Sequence, residues 1–128
     1  MSIKEVVESF NEKFLQISIA ESKTIYRDTL VLYLEGILDT ENSGDFASVI
    51  NECIANNLYG KYSKLVLDCN GITYVSSTGI GGFVNILVTC THNDITLCLS
   101  RVPSRISDVM DLLGFSSYFT FIDDPNNP

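Results

Sequence analysis

Ser76-Ser77-Thr78 stands directly before Gly79-Ile80-Gly81-Gly82, and these three hydroxyls ahead of a long apolar run are the most chemically pointed feature of the chain. One hydroxyl at a helix start acts as N-cap by accepting a hydrogen bond from a backbone N–H two or three residues on. The others then sit where free first-turn N–H groups and the positive end of the helix dipole favour a negative group. A phosphate ester formed on one of them would be partly stabilised in place. The bland alternative is a plain cap, since unmodified Ser and Thr are common at helix starts. Gly79, Gly81 and Gly82 each cost a helix about 1 kcal/mol against Ala. A first turn that must lie close to a strand or to a docking partner tolerates that cost.

Other chemistries fit the residues less well. Ser77 to Gly81 superficially resembles the glycine-rich turn of a short-chain dehydrogenase, but only 49 residues follow Gly79, too few for a second mononucleotide half. No G-x-x-x-x-G-K-[ST] loop is present, which excludes a P-loop NTPase. The single histidine, His92, stands beside Asn93 and Asp94 at the polar end of its segment, where it reads as a C-terminal helix residue. No nucleophile, base and orienter form a set. Cys53, Cys69, Cys90 and Cys98 sit among apolar neighbours without a C-x-x-C pair, and so read as buried thiols with no metal site. A nucleotide-binding domain using Gly79 to Gly82 stays open as a minor alternative. No cofactor is implied.

Several elements must position the hydroxyls. Ile3, Val6, Val7, Phe10 and Phe14 recur at helical spacing. Leu15, Ile17 and Ile19 alternate with Gln16 and Ser18, so Leu15 to Ala20 reads as a half-buried strand with Leu15 facing inward. A turn at Arg27-Asp28 leads to a second strand at Leu30 to Leu34, and the short connection predicts an antiparallel hairpin. Glu41 to Leu58 carries Phe46, Val49, Ile50, Cys53, Ile54 and Leu58 on one helical face. Lys64 to Cys69 reads as a buried strand, Cys69-Asn70-Gly71 as a turn, and Asp68 as a structural residue fixing that turn. Ser77 to Thr91 is a helix, Ile95 to Leu99 a strand, Ser104 to Leu113 a helix closed by Gly114, and Tyr118 to Ile122 a last strand. A hairpin followed by strand–helix alternation predicts a single α/β domain with a mixed four- to five-stranded sheet backed by helices.

Composition bounds the partners. The 128 residues fit one domain, and 45% hydrophobic content excludes a disordered chain. A net charge of −8 argues against a nucleic-acid or anionic-membrane surface and suits a basic or mixed-charge protein partner. No apolar stretch is long enough for a membrane span, and Met1 to Glu5 turns acidic at once, so the expected compartment is the cytoplasm.

The ordered set of motifs resembles the STAS domain of the anti-sigma factor antagonist family. Leu30 to Asp39, with Gly36-Ile37-Leu38-Asp39, is similar to the family's second strand and its G-x-x-D ending. Leu65-Val66-Leu67-Asp68 is similar to its central strand, Tyr74 to Ile80 to its S-S-x-G turn, and Leu112 to Phe115 to its closing segment. The resemblance covers residues 15–122, leaving 1–14 as an N-terminal helical extension and 123–128 as a tail. It implies a domain with no enzymatic activity of its own. It further implies a serine-kinase anti-sigma factor as partner, phosphorylation at this helix start that ends the antagonist's binding, and a phosphatase that resets it. Two alignments are open: Ser77 is the acceptor in one and Thr78 in the other, with Ser77 favoured because serine is the commoner acceptor in the family. Ser76 stands where many members carry Asp. Asp39, Thr40, Ser76, Gly79, Ile80 and Gly81 are the expected partner-contact residues, and Asp39 equally fits a cap for the helix after it. The other functional class is a constitutive STAS scaffold or accessory subunit of a stress-sensing or transport complex. For the extra N-terminal helix, packing on the domain, self-association into a homodimer and a partner-specific contact are all open; its apolar stripe favours packing.

Overall fold

Elements of helical and of alternating period share a single core in the computed structural model, which describes residues 2–22, 27–55 and 61–127. Helix α1 (Ile3–Lys13) begins with a reciprocal capping box in which Ser2 and Glu5 satisfy each other's backbone N–H groups. Strands β1 (Ile17–Glu21) and β2 (Thr29–Leu38) follow, then α2 (Ser43–Cys53), β3 (Lys64–Val75), α3 (Ser77–His92), β4 (Thr96–Ser100), α4 (Ser104–Leu112), a 3-10 turn at Ser116–Tyr118 and β5 (Thr120–Ile122). The five strands stand in sequence order, with β1 antiparallel to β2 and the rest parallel. The expected hairpin and mixed sheet are both present.

The strand order decides where the helices go. Parallel neighbours joined by right-handed crossovers, each stepping in the same direction, put every crossover helix on the same face of the sheet. Buried residues of α2, α3 and α4 accordingly share one core with Leu30, Leu32 and Leu34 of β2, Leu65 and Leu67 of β3, and Leu97 and Leu99 of β4. Helix α1 joins that core through Ile3, Val6, Val7 and Phe10, so the N-terminal helix packs on the domain. The opposite sheet face carries a smaller cluster of Val31, Val66 and Cys98, with Tyr33 and Ile122 against it.

The outer edge of β1 is closed by a side chain. Asn11 of α1 donates from Nδ2 to the Ile19 carbonyl at 2.8 Å and accepts from the Ile19 N–H at 2.9 Å. One amide group thus takes the place of a neighbouring strand, which protects an edge that would otherwise recruit one.

Five expectations need correction. Strand β1 starts at Ile17, and Leu15 lies before it, 91% exposed. Cys69-Asn70-Gly71 is no turn: β3 runs through to Val75, with an extra residue opposite Tyr33–Glu35 and another opposite Gly36–Ile37. These bulges absorb the turn-like residues while pairing with β2 continues, and Gly71 allows the approach, since a Cβ there would lie 2.8 Å from the Leu34 carbonyl oxygen. Asp68 therefore fixes no turn; it is buried and bound by Arg101, whose Nε and Nη2 donate to its two oxygens at 2.8 and 2.9 Å, and by Ser100. Helix α2 begins at Ser43, two residues later than expected, and Leu58 lies outside the described residues. The last strand is shortened to Thr120–Ile122 by the 3-10 turn before it. Beyond β5 the chain folds back, burying Pro125 and bringing Asn126 Nδ2 to 3.4 Å from the Tyr33 hydroxyl.

Candidate functional site

Strands β2 and β3 end side by side, with Leu38 opposite Val75, and the chain leaves each end into a helix start. Open α/β sheets form their sites at this carboxyl end. Leaving β3, Ser76 keeps extended backbone angles, and its N–H donates to the Leu38 carbonyl at 2.9 Å. Its hydroxyl accepts from the Gly79 N–H at 3.1 Å. Ser76 is therefore the N-cap of α3, with its oxygen committed to the helix.

Ser77 and Thr78 differ from it. Both are exposed, and among the described residues neither their hydroxyls nor their backbone N–H groups have a hydrogen-bond partner in the structure. The two free N–H groups belong to the first turn of a 16-residue helix, where a negative group gains from the dipole. Thr78 also lines a groove of about 380 Å³ between α2 and α3, together with Ser43, Gly44, Ser48, Asn51 and Gly81. At its far end the Asn51 amide donates to Asn85 at 2.8 Å.

The glycines divide by role. A Cβ on Gly79 would lie 2.7 Å from Val75 Cγ1 and 3.0 Å from the Leu38 carbonyl oxygen, so glycine lets α3 start tight against both strands. Gly82 faces α2 near Ser43 and Ala47. Gly81 is exposed with open space around it. Ile80 is fully buried in the core, so its side chain positions the helix and has no face to offer another molecule.

The loop after β2 is held by its own side chains. Asp39 Oδ1 accepts from the N–H groups of Glu41 at 3.0 Å and Asn42 at 3.1 Å. Asn42 answers with Oδ1 on the Asp39 N–H at 2.9 Å and Nδ2 on the Ile37 carbonyl at 2.9 Å, and Ser43 Oγ donates to the Asp39 carbonyl. Asp39 thus orders the turn that leads into α2, whose N-cap is Asn42, and stays half-exposed, with both accepted bonds on one carboxylate oxygen. Thr40 is exposed at the tip. The structure brings Asp39, Thr40, Ser76, Ser77 and Thr78 to one end of the sheet. Asn42, which locks the loop, escaped the sequence reading; its signal was the Asn-Ser pair three residues after Asp39.

Burial pushes the Cys53 and Cys90 thiols up to about 12 and raises Cys69 and Cys98 as well, so none is a thiolate near neutral pH. Among the described residues no three His, Cys, Asp or Glu side chains gather as metal ligands. Nor, among them, is any helix long and apolar enough to cross a membrane.

The STAS domain family matches residues 17–126. The chain belongs to the STAS family. Solved STAS structures agree with the fold. An anti-sigma factor antagonist from Mycobacterium paratuberculosis superposes with a TM-score of 0.68 at 13% identity, over 84% of this chain and 86% of that one. The Bacillus cell fate determinant SpoIIAA in its phosphorylated form gives 0.60 at 15% identity, over 84% and 93%. The murine anion transporter Slc26a9 gives 0.63 at 17% identity, over 85% of this chain but only 20% of the transporter. Helix α1 precedes the matched residues and packs on the same core.

Proposed function

We propose that this STAS domain is an anti-sigma factor antagonist that binds a serine-kinase anti-sigma factor and is released by phosphorylation at the start of α3, on Ser77. The single observation that carries the reading is the division of labour among the three hydroxyls. Ser76 is spent on the cap, while Ser77 is exposed with an unbonded N–H turn beneath it. Thr78, the alternative acceptor, stands on the groove wall. The likeness to SpoIIAA, a protein solved in a phosphorylated form, supports the same reading.

In the proposed step the Ser77 oxygen attacks the γ-phosphorus of ATP bound to the partner. The bond from that phosphorus to the β-γ bridging oxygen breaks, ADP leaves, and the hydroxyl proton passes to a base of the partner. Base, metal and nucleotide all belong to the kinase. The domain contributes a fixed acceptor and an electrostatic cradle.

The same geometry gives the switch its sign. Phosphate takes the net charge from −8 to about −10. The helix start stabilises the dianion in the free domain. In the complex the dianion is desolvated beside the acidic loop that carries Asp39 and Glu41 and beside the partner's own nucleotide phosphates. A differential of about 3 kcal/mol weakens binding more than a hundredfold. A phosphatase that removes the ester restores the binding form. Asp39, Thr40 and Gly81 complete the contact surface around the acceptor.

Ser77→Asp and Thr78→Asp, titrated singly against the serine-kinase anti-sigma factor of the same genome, test the switch. Loss of at least tenfold in affinity for Ser77→Asp is expected. Unchanged affinity in both variants removes the switch and leaves the constitutive scaffold.

A further inference from the structure

Local sequence pattern places Leu15 inside a strand, facing the core, and the fold turns it out to solvent. It is 91% exposed, the most exposed large apolar side chain among the described residues. Departures of this kind mark strained or functional positions more often than accidents.

The turn that presents Leu15 is held on both sides. Before it, the Phe14 N–H caps α1 on the Phe10 carbonyl at 2.9 Å, and the two rings meet at 4.9 Å between centroids. After it, the Gln16 carbonyl accepts from the Ile37 N–H at 2.8 Å. Gly36 makes room for that carbonyl. It sits at φ +115°, and a Cβ there would come within 2.1 Å of the Gln16 oxygen. The backbone on both sides of Leu15 is thus fixed, so docking has only its side chain to order.

Topology fixes which end of the molecule it occupies. Because β1 runs antiparallel to β2, its amino end lies at the carboxyl end of β2, where Ile17 pairs with Gly36. Crossing that end of the sheet, one meets the Leu15 turn, then the Asp39 loop, then Ser76 to Thr78. Leu15, Lys13 and Phe14 line a groove of about 460 Å³ whose opposite wall is Asp39, Glu41 and Asn42.

We infer that Leu15, in the turn between α1 and β1, is a specificity-determining anchor for the same partner that addresses Ser77, and this rests on the function proposed above. The occupant is the kinase anti-sigma factor, entering with an apolar pocket for Leu15 and a basic group for Asp39 and Glu41 across the groove. The argument for that occupant is continuity with the acceptor surface and the charge of the facing wall. Leu15 lies before the matched residues 17–126 and is separate from the acceptor turn, so the anchor discriminates among kinases that share the acceptor chemistry.

The test titrates the full chain and two leucine variants against the serine-kinase anti-sigma factor by calorimetry. Leu15→Asp removes the anchor. Leu112→Asp is the matched control, a leucine 87% exposed on α4, toward the other edge of the sheet. The expected result is wild-type affinity within twofold for Leu112→Asp and at least tenfold weaker binding for Leu15→Asp, with unchanged thermal midpoints. Wild-type affinity in Leu15→Asp overturns the anchor while leaving the Ser77 switch standing. Equal loss in both variants also overturns it. No binding by the wild-type chain overturns the underlying function and the anchor together.

Discussion

The hydroxyl of Ser76 accepts the Gly79 N–H at 3.1 Å, and this bond separates the structural serine from its exposed neighbour Ser77. Removing the cap and removing the acceptor therefore have different consequences. Ser76→Ala is expected to lower stability by about 1 kcal/mol, the usual cost of an N-cap. Ser77→Ala is expected to stay within about 0.5 kcal/mol of wild type, as for other exposed positions. Urea midpoints of the two variants check the difference.

Gly79 and Gly81, two residues apart on one helix, are expected to respond to alanine with opposite signs. At Gly79 the new methyl meets Val75 and the Leu38 carbonyl, and overpacking costs about 1–3 kcal/mol. At Gly81 nothing lies within 4 Å, so the gain in helix propensity stabilises by up to about 1 kcal/mol. Thermal unfolding of both variants measures the signs directly.

Arg101 holds a left-handed backbone conformation, φ +49°, while its guanidinium grips the buried carboxylate of Asp68 through two bonds. Arg101→Ala leaves that carboxylate with Ser100 alone, and the arginine is itself 42% exposed. The full cost of breaking a buried pair is thereby reduced to about 2 kcal/mol. A double-mutant cycle with Asp68→Ala checks it: the coupling energy is expected to approach the single-variant loss.

The thiols give the alkaline limit. Cys53 and Cys90 titrate near 12 in the folded state because burial disfavours the thiolate, while unfolded cysteine titrates at its ordinary value of 9.0. The folded pKa is raised, so this contribution is whole below about pH 9 and is lost as pH climbs toward 12. The loss is about 1.4 kcal/mol per pH unit for each such thiol. Urea titrations at pH 8, 9.5 and 10.5 check the slope in the wild type, and Cys53→Ala with Cys90→Ala is expected to reduce it to what Cys69 and Cys98 contribute.

What the sequence revealed followed from local period and local capping. Phe46, Ile50 and Cys53 at helical spacing and Leu65 and Leu67 in a buried run each state their role within a few residues, while Ser76-Ser77-Thr78 announces a cap without saying which hydroxyl makes it. What stayed hidden depended on partners far along the chain. Leu15 continues the alternation of Ile17 and Ile19, and only Gly36, twenty residues on, reveals that the Gln16 carbonyl turns away from a strand path. Asn70-Gly71 reads as a turn because the bulged pairing opposite Tyr33 to Glu35 is invisible locally. Asp68 reads as structural from its place at a strand end, but its partner Arg101 stands 33 residues later. Asn11 looks like one more polar residue on a solvent face until β1 is laid beside it.

Phosphopeptide mapping after incubation with the serine-kinase anti-sigma factor and ATP tests the central claim most directly. One phosphate is expected, on Ser77, absent from Ser77→Ala and still acquired by a Ser76→Ala chain that remains folded. A chain that stays unmodified under a kinase active on its own antagonist, or that carries the phosphate away from Ser77, contradicts the account.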